Sequence, residues 1–204
     1  RKTIQDDLLL SEHTNNYFEL NYEFSGQDFT IEYLDFIEDA TEGLVEAKSG
    51  EKYLKIVEAS KGNRHEHYLR SGEVTSIHNI LFSLNSPTEG AINITENEEG
   101  QLFINSPFDG DYMRMADQFK GTLNKGDKQN LLLRSLYNAA GLQFVFPDKI
   151  IEGKFEIVKS EDITQQDGLF VKISSGNESK ILGLLGAKGI ANDPKKISLA
   201  GLDF

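Results

Sequence analysis

The sequence predicts a mainly β fold, an antiparallel β-sandwich or open barrel with one or two short helices. Three observations predict it. Apolar and polar residues alternate with period two along most of the chain. Glycine-rich turn clusters separate the alternating runs at short spacing. Hydrophobic residues make up 38% of the sequence, with 13 Phe and 7 Tyr, enough for a packed core.

The first strand is the clearest. Between Tyr17 and Phe24, Phe18, Leu20, Tyr22 and Phe24 share one face, and Glu19, Asn21 and Glu23 share the other. Ser25-Gly26-Gln27 reads as a turn, and Asp28 to Ile37 continues as a second strand with Phe29, Ile31 and Tyr33 inward, so the two form a hairpin. Further strands are expected at Lys52–Ala59, His65–Arg70, Ile77–Asn85, Ala91–Thr95 and Gln101–Asn105. After the middle of the chain they recur at Leu142–Phe146, Lys154–Val158, Leu169–Ser174, Ser179–Leu185 and Lys196–Leu202. Turns are expected at Lys61-Gly62-Asn63, Ser71-Gly72, Asn97 to Gly100 and Ser175-Gly176-Asn177. Two stretches carry helical spacing instead. In Asn130–Gly141, Leu132, Leu133, Leu136, Tyr137 and Ala140 fall on one stripe, with Asn130 placed to cap and Gly141 placed as the terminating glycine. In Asp111–Lys120 the stripe is Tyr112, Met115, Ala116 and Phe119.

At 204 residues the chain buries about 70% of its unfolded surface and needs no disulfide or metal staple. It is expected to form a single domain over residues 1–204, with a weak subdomain break in the polar segment 160–168. Asp and Glu number 33 against 21 Lys and Arg, a net charge of -12. Such a surface repels nucleic-acid phosphates and anionic headgroups and attracts a basic protein. The absence of cysteine excludes disulfides, thiolate metal sites and a Cys nucleophile. The chain begins with Arg1 and contains no run of 18 apolar residues, so an excised segment anchored by parts outside it is expected.

His13, His65, His67 and His78 are the histidines. His65 and His67 form a His-x-His pair on an expected strand, where residues two apart point the same way about 6.5–7 Å apart. That spacing suits two ligands of one tetrahedral zinc and suits haem poorly, because axial ligands approach iron from opposite faces. His78, on the next expected strand, is the natural third ligand, although its face also holds Ile80, Phe82 and Leu84 and a core-boundary histidine is the plainer reading. The carboxylates Asp35, Glu38, Asp39, Glu42, Glu96, Glu98, Glu99, Asp109 and Asp111 read as a solvated face. Asp109-Gly110-Asp111 lacks the remaining oxygen ligands of a calcium loop. No Gly-x-Ser-x-Gly elbow occurs, and Gly183–Gly189 is not a phosphate-binding loop. Tyr112, Met113, Met115, Phe119, Phe144 and Phe146 read as core, or as the lining of an apolar groove.

Four blocks carry a resemblance: NYFELNYEFSGQDFTIEYLDFI (residues 16–37), YLKIVEASKGNRHEHYLRSGEVTSIHNILFSLNSPTEGAINI (53–94), INSPFDGDYMRMADQ (104–118) and LRSLYNAAGLQFVFP (133–147). This resembles the extracytoplasmic region of ResB/CcsB-type cytochrome c biogenesis proteins, in particular the large ResB–CcsA fusions typical of Bacteroidetes. The likeness thins beyond Pro147. It implies an accessory ectodomain at the extracytoplasmic, periplasmic face of the cytoplasmic membrane, in a system that attaches haem to apocytochrome c. The expected partners are apocytochrome c and a CcsA-like, haem-handling membrane part. The family's haem-ligating residues belong to membrane segments outside this chain, so none is carried over, and neither a catalytic residue nor a resident cofactor is expected in this piece.

Two other classes compete. A secreted or surface β-sandwich module that binds a ligand or carbohydrate would use exposed aromatics, but the chain has no Trp, the favoured sugar-stacking residue. A zinc hydrolase would be built on His65 and His67.

Overall fold

The computed structural model describes residues 8–60, 62–187, 190–191 and 198–203. Every regular element among them is a strand. In chain order the strands are β1 (Glu19–Phe24), β2 (Gln27–Ile37), β3 (Ala40–Ser60), β4 (Asn63–Arg70), β5 (Val74–Ile77), β6 (Ile80–Leu84) and β7 (Ile92–Glu96). There follow β8 (Leu102–Asn105), β9 (Gly110–Arg114), β10 (Lys120–Leu123), β11 (Lys128–Asn130), β12 (Ser135–Ala139), β13 (Leu142–Val145), β14 (Ile151–Lys159), β15 (Asp167–Ser175) and β16 (Glu178–Ala187). Three two-residue strands close the chain: β17 (Ile190–Ala191), β18 (Ser198–Leu199) and β19 (Leu202–Asp203). They build three larger, mostly antiparallel sheets, consistent with the expected sandwich or open barrel, and a small two-stranded sheet.

The chain forms two compact units, one from residues 1–45 and 155–204, the other from Glu46–Lys154. The polar segment 160–168 lies inside the first unit rather than between the two.

In the first unit the strand order is β1-β2-β15-β16-β17. The expected hairpin is present: Phe24 pairs with Gln27 across Ser25-Gly26, both at positive φ, as a two-residue turn matched to strand twist requires. Phe18 and Phe29 are buried on its inner face. The register between β2 and β15 slips at Phe170/Val171, leaving Leu34 unpaired and 40% exposed.

Two further sheets lie mainly in the second unit. One has the order β10-β9-β12-β13-β3-β14, with β4 also on β3, and the other has the order β11-β8-β7-β6-β5. One apolar cluster is shared by both: Leu54, Ile56, Leu69, Tyr137 and Phe144 come from the first sheet, and Ile77, Phe82, Leu84, Ile92, Ile94 and Ile104 from the second. Phe82 meets Phe144 edge-on across the gap at 5.2 Å, and Tyr137 stacks on Phe144 at 5.6 Å. Burial pushes the Tyr137 phenol up to about 12. Its hydroxyl accepts a hydrogen bond from the Leu132 N–H at 2.7 Å, so its polar tip is satisfied within the core wall. β6 and β7 are parallel although only residues 85–91 join them. Ile92 lies opposite Phe82, so the chain recoils by just two residues, and Asn93 braces that loop through Thr88 and Ala91.

Both expected helices are strands. Asp111–Lys120 lies on the β9–β10 hairpin, and Asn130–Gly141 runs from β11 through β12. The buried positions of β12 are Ser135, Tyr137 and Ala139, small or polar residues that hid the period of two, while Leu136 stands outside that alternation and Leu132 and Leu133 precede the strand. Gly141 pairs with Ala140 in a positive-φ hairpin turn, the same backbone conformation that a helix-terminating glycine adopts. The expected strand Ile77–Asn85 is also divided, because His78 and Asn79 turn between β5 and β6. In the expected strand Lys196–Leu202, Ala200-Gly201 instead turns between β18 and β19, and residues 196–197 lie outside the described residues, as does Lys61 of an expected turn.

Phe144 is fully buried and touches rings from both sheets. Phe144→Ala is therefore expected to cost about 3–5 kcal/mol, read as a lower urea midpoint at unchanged slope.

Candidate functional site

β3 is flanked by β4 on one side and β13 on the other, so its inner face lies within the sandwich of the second unit. Alternation puts Leu54, Ile56 and Glu58 on that face, and all three are buried. Their cross-strand partners on β4 are Leu69, His67 and His65. The stripe on β4 thus runs from buried leucine to half-buried His67 to exposed His65 as it leaves the core. Glu58 stands at the core end, beside Phe144 of β13.

His78 approaches from the facing sheet. It sits at φ 48° in the β5–β6 turn, half exposed, and its Nε2 lies 2.9 Å from Glu58 Oε1. A carboxylate only accepts, so His78 donates. His67 Nε2 lies 3.7 Å from the same oxygen, too far for a hydrogen bond. Glu58 Oε2 and His67 Nε2 are both shielded from water and have no hydrogen-bond partner.

Glu58 is 1% exposed. Loss of water pushes its carboxyl up; the His78 hydrogen bond and the positive potential of His78 and His65 pull it down by more, and its pKa lies below the ordinary 4.5. The site thus holds a buried, ionised carboxylate faced by imidazoles instead of by Lys or Arg.

The sequence had grouped His65, His67 and His78 around a metal. The structure brings His67 and His78 to a shared oxygen and leaves His65 outside, on the solvent end of β4. The organising residue, Glu58, was missed; its signal was a lone Glu in phase with Leu54 and Ile56 in an apolar strand. His78 is corrected from a strand face to a turn, and that turn is what lets it reach across. Among the described residues no three His, Asp or Glu side chains already stand in a coordinating array.

The other candidates disperse. His13 lies in an exposed turn, where its N–H donates to Ser11. Asp109 accepts from the Lys125 N–H and Asp111 from the Asn138 side chain, so the Asp-Gly-Asp run ties loops to strands. Gly110 between them lies against the Asn138 carbonyl, where a Cβ would clash. Glu96 pairs with Lys52 at 2.8 Å. Phe144 and Phe146 are core, whereas Met115 and Phe119 are exposed, with Arg114 over the Phe119 ring at 5.4 Å, so the six do not line one groove. Gly183 to Gly186 lie within β16, and Lys188 and Gly189 lie outside the described residues.

The first unit carries an open cleft of about 350 Å³ lined by Glu42, Phe155, Glu156, Ile157, Phe170 and Gly183. Glu42 and Glu156 line it together with Phe155 and Phe170. Gly183 leaves room that a Cβ would close against Ile157 and Phe170 at 3.0 and 3.1 Å.

No protein-family profile, curated protein or solved structure matches this chain.

A group whose folded pKa is lowered stabilises the fold above its unfolded value and loses that contribution as pH falls through the folded one. The Glu58 contribution is thus full above pH 4.5 and fades below it. Denaturant unfolding across the acid range should show a steeper stability loss for the natural chain than for Glu58→Gln; parallel curves would contradict the ionised assignment.

Proposed function

We propose that the chain is an extracytoplasmic accessory domain of a membrane-bound cytochrome c assembly protein. It scaffolds the CcsA-like haem-handling part and holds apocytochrome c for haem attachment. The link to that system rests on the four resembling blocks, which fall on the β1–β2 hairpin, on β3 to β9 and on β12 and β13.

The observation that supports a holding role is the cleft of the first unit. A lysine or arginine side chain entering it would pass among Glu42, Glu156, Phe155 and Phe170, which line it together with Ile157 and Gly183. Carboxylate and aromatic ring together are the usual partners of an organic cation. The net charge of -12 draws a basic client toward the surface from a distance. Haem chemistry is assigned to the membrane part; this domain supplies grip and orientation.

A fluorescent apocytochrome peptide containing Cys-x-x-Cys-His is expected to bind saturably under reducing conditions, with affinity falling steeply between low salt and about 0.5 M. Glu42→Gln with Glu156→Gln should weaken binding at least fivefold and flatten the salt dependence. A peptide with both cysteines changed to Ala tests whether the thiols are read. Absence of binding at high micromolar peptide, with or without haem, would reject the holding role.

A further inference from the structure

We propose that the open end of the sandwich in the second unit binds a divalent transition metal, zinc above all, through Glu58, His67 and His78. This site is independent of the cleft and of the role proposed for the chain.

Two orphaned atoms motivate it. Glu58 is 1% exposed, and its Oε2 has no partner; His67 Nε2 is shielded and has none either. Buried polar atoms are almost always satisfied, and an unsatisfied one beside a carboxylate is costly. A single cation held by both oxygens of Glu58 and by His67 Nε2 satisfies both.

The spacing fits. In a tetrahedral zinc site with bonds of about 2.0–2.1 Å, neighbouring ligand atoms lie about 3.3 Å apart. The His78 and His67 nitrogens lie 2.9 and 3.7 Å from Glu58 Oε1, on either side of that value. The three side chains do not stand in a coordinating array as they are, so binding requires the two imidazoles, 50% and 34% exposed, to turn toward the carboxylate carried by the strand pair. His78 stands on a turn at the rim, which opens a path for the ion.

The donor set selects the metal. Two imidazoles and one carboxylate suit zinc and its first-row neighbours, whereas calcium and magnesium demand mainly oxygen ligands in greater number. Three protein ligands leave a fourth position for water or for a donor from a partner. His65 lies opposite Glu58 in the register but on the exposed end of β4, and it is left out of the ligand set. Imidazole binds a metal only in its neutral form, so protons compete with the ion for His67 and His78 and affinity falls as pH falls.

The test uses the full chain, stripped with a chelator and then titrated with Zn²⁺ by calorimetry and with Co²⁺ by visible absorption. One equivalent of zinc should bind, cobalt should give the strong visible bands of a tetrahedral site, and Ca²⁺ and Mg²⁺ should not compete. Glu58→Gln, His67→Ala and His78→Asn should each weaken zinc binding at least tenfold. Asn tolerates positive φ, so His78→Asn retains the turn while removing the ligand. His65→Ala should stay within twofold of the natural chain. Zinc should raise Tm in the natural chain and not in Glu58→Gln, with circular dichroism confirming that each variant is folded. No saturable binding at micromolar zinc, or binding that these three substitutions leave intact, would overturn the site. A loss in His65→Ala as large as in His67→Ala would overturn the ligand set.

Discussion

The second unit depends on one constraint: the inner face of β3 packs against the facing sheet, so the side chains in phase there are cut off from water. Leu54 and Ile56 meet that constraint with apolar surface, and Glu58, next in phase, meets it with a charge. An ionised carboxylate without water needs a partner. β4 brings one imidazole through pairing register, and the β5–β6 turn brings another from the facing sheet. The ring cluster around Phe144 then abuts the polar end through the pairing of Phe144 with Glu58. The site is therefore the place where the core stops, not a feature added to its surface.

Tight turns decide where side chains go. Ser25-Gly26, His78-Asn79, Ala140-Gly141 and Ala200-Gly201 all hold two successive residues at positive φ between paired strands. Such turns follow the strand twist and fix register without a long loop. Where glycine occupies the second position the conformation is easily met. His78 and Asn79 have no glycine, so a histidine is held in a backbone region that side chains disfavour. The hydrogen bond from His78 to Glu58 opposes that cost, and the turn and the carboxylate hold each other in place.

These turns also explain what could and could not be read in advance. The β class and the first hairpin were legible because Phe18, Leu20, Tyr22 and Phe24 alternate without interruption. β12 was not, because Ser135 and Ala139 take inward positions while Leu132, Leu133 and Leu136 simulate a helical stripe. Gly141 could not arbitrate, since helix ends and hairpin turns ask the same φ of it. At the site, the shared face of His65 and His67 was legible from period two alone. The arrival of His78 was not, because it depends on a turn between two strands read as one. Glu58 was missed for a different reason: its one local signal, its phase with Leu54 and Ile56, was lost among 33 acidic residues.

The identity of the counter-charges separates Glu58 from the other carboxylates. On the opposite face of the same strand pair, Lys55 and Glu66 meet at 2.7 Å as a permanent ion pair with access to water. Such a pair contributes little and is insensitive near neutral pH. The inner face uses histidine where lysine or arginine would have neutralised Glu58 under all conditions. Imidazole makes the neutralisation conditional: it can serve as a hydrogen-bond donor, as a cation, or as a neutral ligand for a metal. A strand whose only task was to close the core would be better served by an apolar residue at position 58. The retained carboxylate, with one oxygen engaged and the other idle, gives this end of the sandwich a chemical capacity that packing alone does not require.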